Sequence, residues 1–443
     1  MTLDDLRQAV ASGTVDTVVL AITDMQGRLQ GKRMHAGHFV DEVVEHGAEG
    51  CNYLLAVDVD MNTVEGYAMA SWERGYGDFV MRPDLATLRL TPWLEATALC
   101  LADVVWHDGT DVAASPRQIL RGQLARLGAH GWEAHAGTEL EFIVFDDSYE
   151  DAWDRGYRAM TPANRYNVDY SLLGTARVEP LIRRIRNTMA GAGMTVVDSK
   201  GECNLGQHEI NFMFSPALNA ADEHVVYKNG AKEIAAQEGK AITFMAKYDE
   251  REGNSCHIHL SLRTPGGEPV FAADEGAFHS FVAGLLAAQR ELALWFAPNV
   301  NSYKRYANAS FAPVTIAWGN DNRTCALRVI GHGPSLRVED RVAGADVNPY
   351  LAIAAMVAAG LHGVAAGLEL EPAMAGNAYL AGDRPQMPRT LSEARELFAG
   401  SAIAREAFGA EVVAHYVNMA DVELRAFESA VTDWERVRGF ERL

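Results

Sequence analysis

The sequence predicts an α+β protein in two parts, residues 1–108 and 109–443. Three observations carry that reading. The first part is dominated by strand-like alternation around a hairpin. Beyond the turn residues Asp108-Gly109-Thr110, strand and helix patterns alternate, and several strands are charged on one face only. From Leu391 onward three helical segments close the chain without any strand pattern.

In order, Leu3 to Ala11 has helical spacing and ends near Gly13. Thr17 to Thr23 and Arg28 to Met34 read as strands joined by the turn Asp24-Met25-Gln26-Gly27. A helix over Phe39 to His46 follows. Asn52 to Met81 mixes glycines with Asp58, Asp60, Glu65 and Glu73 and reads as a long irregular loop. Leu88 to Leu90 and Thr97 to Trp106 return to strand pattern. In the second part, Ile119, Leu120, Leu124 and Leu127 place one apolar stripe on a helix over Pro116 to Leu127. Longer helices are expected over Asp222 to Lys247, Glu275 to Phe296 and Asn348 to Leu368.

Composition excludes several function classes. A chain of 443 residues, 48% hydrophobic and 22% charged, can bury a large core. Its net charge of −20 disfavours nucleic acid and anionic membrane as partners. The stretch Leu351 to Leu368 is apolar but interrupted by Gly360, His362 and Gly363, so a packed helix is expected rather than a membrane span. The five cysteines form no C-x-x-C pair. Reduced thiols in a cytoplasmic protein are expected, and the residues after Met1 lack a basic and apolar leader pattern.

The chemistry concentrates on strands. In Thr138 to Phe145, Glu139 and Glu141 point one way while Leu140, Phe142 and Val144 point the other. Two carboxylates directed into one space repel, and burying them unpaired costs several kcal/mol. A cation between them is therefore expected. His257, His259 and Ser261 share a face of a second strand, and Arg337, Glu339 and Arg341 share a face of a third. Glu202 and Glu209 flank a glycine-containing bend. Hard oxygen donors with little sulfur favour Mg²⁺ or Mn²⁺ over zinc, and the arginines beside them favour phosphate or carboxylate substrates. No G-x-x-x-x-G-K-[ST] and no strand-borne G-x-G-x-x-G occurs, so a nucleotide would be held by metals and arginines.

The order of motifs resembles the glutamine synthetase superfamily over essentially the whole chain. E-x-E at Glu139 is followed by E-x6-E at Glu202, H-x-H-x-S at His257 and Asn301-Ser302-Tyr303-Lys304-Arg305. Ala312-Pro313, Asn322-Arg323 through Arg328, E-x-R at Glu339 and Asn348-Pro349-Tyr350 complete it. The resemblance implies an N-terminal β-grasp domain over 1–108 and a catalytic domain over 109–443 with C-terminal helices. It further implies a homo-oligomer, a dodecamer of two hexameric rings with sites between neighbours, acting on ATP and L-glutamate. Under it, Glu141, Glu202 and Glu209 would hold one metal, and Glu139, His257 and Glu339 a second. His259, Ser261, Arg328 and Arg337 would lie along the nucleotide, and Gly253, Arg305 and Arg341 would hold glutamate. Arg323 would face the transferring phosphoryl group and act with Arg305 and Glu139 in catalysis. Tyr379 stands where regulated members are modified; an exposed, unmodified loop tyrosine is expected.

The sequence departs from the family pattern where ammonium is handled. Members that use ammonium carry a glutamate in a G-[FY]-E-A-P run, and here the run is Ser310-Phe311-Ala312-Pro313. Glu252 precedes Gly253 where an asparagine is usual, and no D-G-S-S segment is present. A changed acceptor is therefore expected, an organic amine such as a polyamine, ethanolamine or a monoamine, with Phe311 against its alkyl stem. This resembles the γ-glutamylamine ligase branch. A polyamine acceptor would want a distal carboxylate for its second charge, for which Asp58, Asp60, Glu65 and Glu73 are the candidates, their placement left open by the sequence. An ammonium-using synthetase and a catalytically silent structural relative are the competing readings.

Overall fold

A computed structural model describes residues 1–443 and contains two sheets with helices packed on them. The first sheet is built from β1 (Thr17–Thr23), β2 (Leu29–His35), β3 (Ala48–Cys51), β4 (Asp78–Pro83), β5 (Arg89–Leu90) and β6 (Thr97–Val105). Its order is β2-β1-β6-β4-β3, with β5 also on β6. β1 and β6 run parallel and every other pair is antiparallel. The helix Leu3–Ala11 starts at a Thr2–Asp5 capping box, which satisfies the free N–H groups at its end. The helix expected over Phe39 to His46 begins earlier, at Ala36, and includes a π-turn at Phe39–Val43. The expected loop after Asn52 ends at Asp78, where β4 begins.

The second sheet carries the polar strands. It comprises β7 (Glu133–Phe145), β8 (Val196–Gly201), β9 (Gln207–Phe212), β10 (Ser215–Pro216), β11 (Ala241–Thr243), β12 (Cys256–Arg263), β13 (Trp318–Asn320), β14 (Leu327–Ile330) and β15 (Arg337–Asp340). The order is β13-β14-β15-β12-β7-β9-β8, with β10 and β11 also pairing with β7. Thus β7 is central, with β12 along one edge and β9 along the other. Its apolar face, including Leu140, Phe142 and Val144, is buried in the core. The helix expected over Asp222 to Lys247 instead spans Ala217–Gln237, because Gly239 at φ +65° turns the chain into β11. The helix expected over Glu275 to Phe296 splits into Glu275–Ala288 and Ala293–Phe296.

The apolar helix Pro349–Ala366, capped by the Asn348 side chain, lies inside the protein. Glycines pack it against the helix Glu275–Ala288. A Cβ on Gly363 would meet the Ser280 carbonyl at 2.1 Å, and one on Gly284 would meet that of Ala359 at 2.2 Å. The two helices therefore cross backbone against backbone. The chain closes with four helices rather than three, at Leu391–Gly400, Ala402–Phe408, Ala410–Ser429 and Asp433–Gly439.

Arg117, on the helix Pro116–Gly128, ties the first sheet to the helices of the second part. Its guanidinium lies 2.7 Å from Asp84, 2.5 Å from Asp103 and 2.9 Å from Asp222. Tyr350 donates to the same Asp222 at 2.6 Å. Such a buried cation is tolerated because its donors are matched by carboxylates.

Candidate active site

Strand register assembles the site. On β7 and β12, Glu139 lies opposite His257; on β12 and β15, His259 lies opposite Glu339; on β7 and β9, Glu141 lies opposite Glu209. Glu202 arrives from the turn joining β8 to β9, where Gly206 at φ +72° lets the chain pass the Val144 carbonyl. Two trios result, Glu139–His257–Glu339 and Glu141–Glu202–Glu209. Within each, the candidate ligand atoms lie within 4.8 Å of one another.

Each trio fits a divalent ion by its donors. The first offers an imidazole and two carboxylates, with His257 Nδ1 3.2 Å from Glu139 and 3.6 Å from Glu339. The second offers three carboxylates around one point, a hard oxygen set suited to Mg²⁺ or Mn²⁺. Burial pushes the Glu209 carboxyl up to about 7, with Glu141 and Glu139 adding repulsion against the nearby Lys200 ammonium. Burial also acts to raise Glu139, but hydrogen bonds from His257 and His259 hold it well below the usual carboxylate range.

A cavity of about 640 Å³ opens over these trios. Glu139, Glu141, Glu202, Glu209 and His257 line it, as do Gly253, Phe311, Arg323, Arg328 and Arg341. Arg328 donates to Glu339 at 2.9 Å, and Arg341 also pairs with Glu339. Arg341 Nε is buried without a partner. Arg323 is not drawn into the ion pairs that engage the other two arginines. Phe311 and Leu172 also line the cavity and present exposed apolar surface, with Phe311 58% exposed.

A second cavity of about 410 Å³ meets the first at Glu139, and His259, Ser261 and Arg337 line it. Arg337 Nε lies 3.2 Å from His259 Nδ1, and His259 Nε2 lies 2.8 Å from Glu139. At its outer end the Arg263 guanidinium sits 5.8 Å from the Phe214 ring centre, leaving a flat apolar surface beside a cation. The residues expected along a nucleotide thus share one channel, apart from Arg328, which lines the first cavity.

Arg305 lies close to the cavity without lining it. It is only 2% exposed and lies behind the cavity wall. Its guanidinium donates to the Val342 carbonyl at 2.9 Å, to Ser255 Oγ at 2.7 Å and to the Arg341 carbonyl at 3.2 Å. Those bonds tie it to the Arg341 loop and to Ser255, which lines the cavity. None of Asp58, Asp60, Glu65 and Glu73 lines the cavity; Asp58 borders a small separate one with Glu423.

Several site residues escaped the sequence reading. Lys200 reaches from β8 to contact Glu202 and lies 3.4 Å from Glu209. Gln207 donates to Glu141 at 3.0 Å, and the Ser255 backbone N–H donates to the same oxygen at 2.7 Å. The alternation of Asp198 and Lys200 along β8 is a signal that would have exposed that strand's polar face.

Residues 113–438 match the family described as glutamine synthetase, catalytic domain. The chain is 64% identical to the gamma-glutamylethanolamide synthetase GlnA4 of Streptomyces coelicolor, covering 100% of this chain and 96% of the relative. It is 37% identical to a glutamate–isopropylamine ligase of a Pseudomonas species, covering 98% and 96% of the two chains. The fold matches GmaS in an ADP complex with a TM-score of 0.87, 27% identity and full coverage of both chains.

Proposed function

The chain belongs to the glutamine synthetase family, and from that premise we propose that it joins the γ-carboxylate of L-glutamate to ethanolamine. It is an ATP-dependent glutamate–amine ligase. The observation that carries the choice of acceptor is the cavity lining: Phe311 and Leu172 bring apolar surface into a cavity otherwise rich in carboxylates. An alkyl stem packs on such a ring, and a small hydroxyl tail finds polar partners beyond it. The 64% identity to a relative named for ethanolamide synthesis supports the same acceptor.

The proposed reaction has two steps. A γ-carboxylate oxygen of glutamate attacks the γ-phosphorus of ATP, the bond to ADP breaks, and γ-glutamyl phosphate forms. The amine nitrogen then attacks the acyl carbon, inorganic phosphate leaves, and the nitrogen loses a proton. Arg323 is assigned to the phosphoryl oxygens, where charge spreads in the first step, with Arg328 beside it. Arg341, with its unpartnered Nε, is assigned to a glutamate carboxylate, with Gly253 on the same wall. Arg305 is assigned to holding the Arg341 loop. The attacking amine must be neutral, and Asp169 and Glu252 are carboxylates on the wall, outside both trios, that are assigned to take its proton.

The two trios are assigned to two divalent ions, Mg²⁺ or Mn²⁺. When bound, these ions neutralise phosphate charge and orient the transfer. His259, Ser261 and Arg337 are assigned to the ATP polyphosphate and ribose, and the Phe214–Arg263 surface to the base. We further propose a β-grasp domain over 1–108, a catalytic domain over 109–443, a dodecamer of two hexameric rings and a cytoplasmic location.

The test is phosphate release with ATP, Mg²⁺ and L-glutamate. It compares ethanolamine with isopropylamine, putrescine, spermidine and ammonium, with product masses measured. Ethanolamine is expected to give the highest kcat/KM and a γ-glutamyl amide product. Strong dependence on ammonium alone would make the enzyme a glutamine synthetase. Silence with every acceptor would leave only a structural role.

A further inference from the structure

We infer that Tyr379 is a positioning residue for acceptor selection, pinning the strained loop that presents Phe311 to the cavity. This rests on the ligase reading above. Phe311 has φ +57° and Ala309 has φ +58°, left-handed conformations that cost a non-glycine residue of this kind on the order of 1 kcal/mol or more each. The Phe311 ring is 58% exposed, so side-chain packing alone does not hold it. Backbone pins do. Tyr379 donates its hydroxyl to the Ala312 carbonyl at 3.0 Å, and Arg341 reaches the Phe311 carbonyl at 3.4 Å. Ser310 Oγ donates to the Ala307 carbonyl at 2.6 Å and closes the loop on itself.

Tyr379 is itself fixed. It sits in the short turn Ala378–Leu380, where the Asn377 side chain accepts the Tyr379 N–H at 3.0 Å. The same turn is tied to the loop bearing Arg323: the Ala378 N–H donates to Thr324 Oγ1 at 2.9 Å, and Asn322 Nδ2 donates to the Gly376 carbonyl at 2.8 Å. Thr315 Oγ1 donates to the Ala378 carbonyl at 2.9 Å, anchoring the far side of the Phe311 loop. One turn thus sets the spacing between the acceptor wall and the arginine assigned to the phosphoryl group. Burial raises the Tyr379 hydroxyl above its ordinary pKa, which keeps it a donor.

The experiment is steady-state kinetics of Tyr379→Phe on the full-length enzyme, with Phe311→Ala and the double variant beside it. One lost hydrogen bond is worth about 0.5–1.5 kcal/mol. The expected result is a rise in KM for ethanolamine of roughly three- to tenfold, by that conversion, exceeding any change in KM for L-glutamate or ATP. In the Phe311→Ala background the same substitution should add little. A second variant, Asn377→Ala at an exposed turn position, should shift ethanolamine KM in the same direction. Equal losses in both backgrounds, or a uniform fall in every parameter with a lowered melting temperature, would reduce Tyr379 to a structural residue and overturn the proposal. Wild-type enzyme silent with all amines would instead sink the ligase reading.

Discussion

The Lys200 ammonium lies 3.4 Å from the Glu209 carboxylate, inside a trio that also contains Glu141 and Glu202. Three carboxylates around one point repel, and a single internal cation offsets part of that repulsion. Lys200→Met removes it. The melting temperature measured in EDTA is expected to fall, while the gain on adding Mn²⁺ is expected to exceed that of the wild type. Equal gains in both proteins would mean that Lys200 and a divalent ion do not compete for the trio.

The same trio marks the limit of what sequence alone makes legible. Glu139, Glu141, His257 and Glu339 stand out because strand alternation puts charge on one face against an apolar other face, and a bland core strand has no reason for that. Lys200 did not stand out, because β8 is a short, largely polar strand with no apolar face to set off its charges. Register between strands was not legible either. The pairing of Glu141 with Glu209 depends on a turn through Gly206, whose close approach to Val144 exists only in three dimensions. The contacts of Arg305 were not legible for a related reason. A motif shows that an arginine is present, but whether its donors meet a ligand or the Val342 and Arg341 carbonyls is decided by packing. Helix ends shifted wherever a tertiary partner competed with propensity. Gln289, expected inside a helix, lies just past its end and donates from a buried position to Asp340 at 3.0 Å.

Phe311→Glu tests the acceptor wall. A carboxylate in place of the ring favours a small cation over an alkyl stem, since it adds charge and removes apolar surface. The expected outcome is a fall in kcat/KM for ethanolamine of at least tenfold, equivalent to about 1.4 kcal/mol, with ammonium rising relative to it. Competition between the two amines, read by product mass, measures the ratio directly. An unchanged ratio would remove Phe311 from the acceptor site.

Arg117→Met tests the clamp between the two parts of the chain. The substitution strands the buried Asp222, while Asp84 and Asp103 keep Arg121 at 2.6 and 3.2 Å. Breaking a buried pair in this way costs about 3–5 kcal/mol. Thermal or urea unfolding is expected to shift strongly. Adding Asp222→Asn to Arg117→Met is expected to recover part of the loss, because it removes the stranded charge. If the double variant is less stable than the single one, Asp222 is held by Tyr350 more than by Arg117.

His415 gives the protein an acid-sensitive seam. Its ring packs 4.5 Å from the ring centre of Tyr67, and its Nε2 lies 2.9 Å from the Met25 sulfur, so the helix Ala410–Ser429 meets the N-terminal part through a neutral imidazole. Burial lowers its pKa from 6.5 to about 4, and burial lowers His208 to about 4 as well. Between those two values the unfolded chain binds a proton that the folded chain refuses. The stability from each neutral ring is therefore fully present above about pH 6.5 and declines as pH falls toward 4, by on the order of 3 kcal/mol per histidine across the whole window. Apparent melting temperatures at pH 7.5, 6.0 and 5.0 measure the slope. His415→Phe keeps an aromatic ring against Tyr67 but cannot be protonated, so its melting temperature should fall less steeply with acid than that of the wild type, whatever its value at pH 7.5. A parallel slope in the two proteins would show that His415 is already charged in the fold and that the seam tolerates a cation.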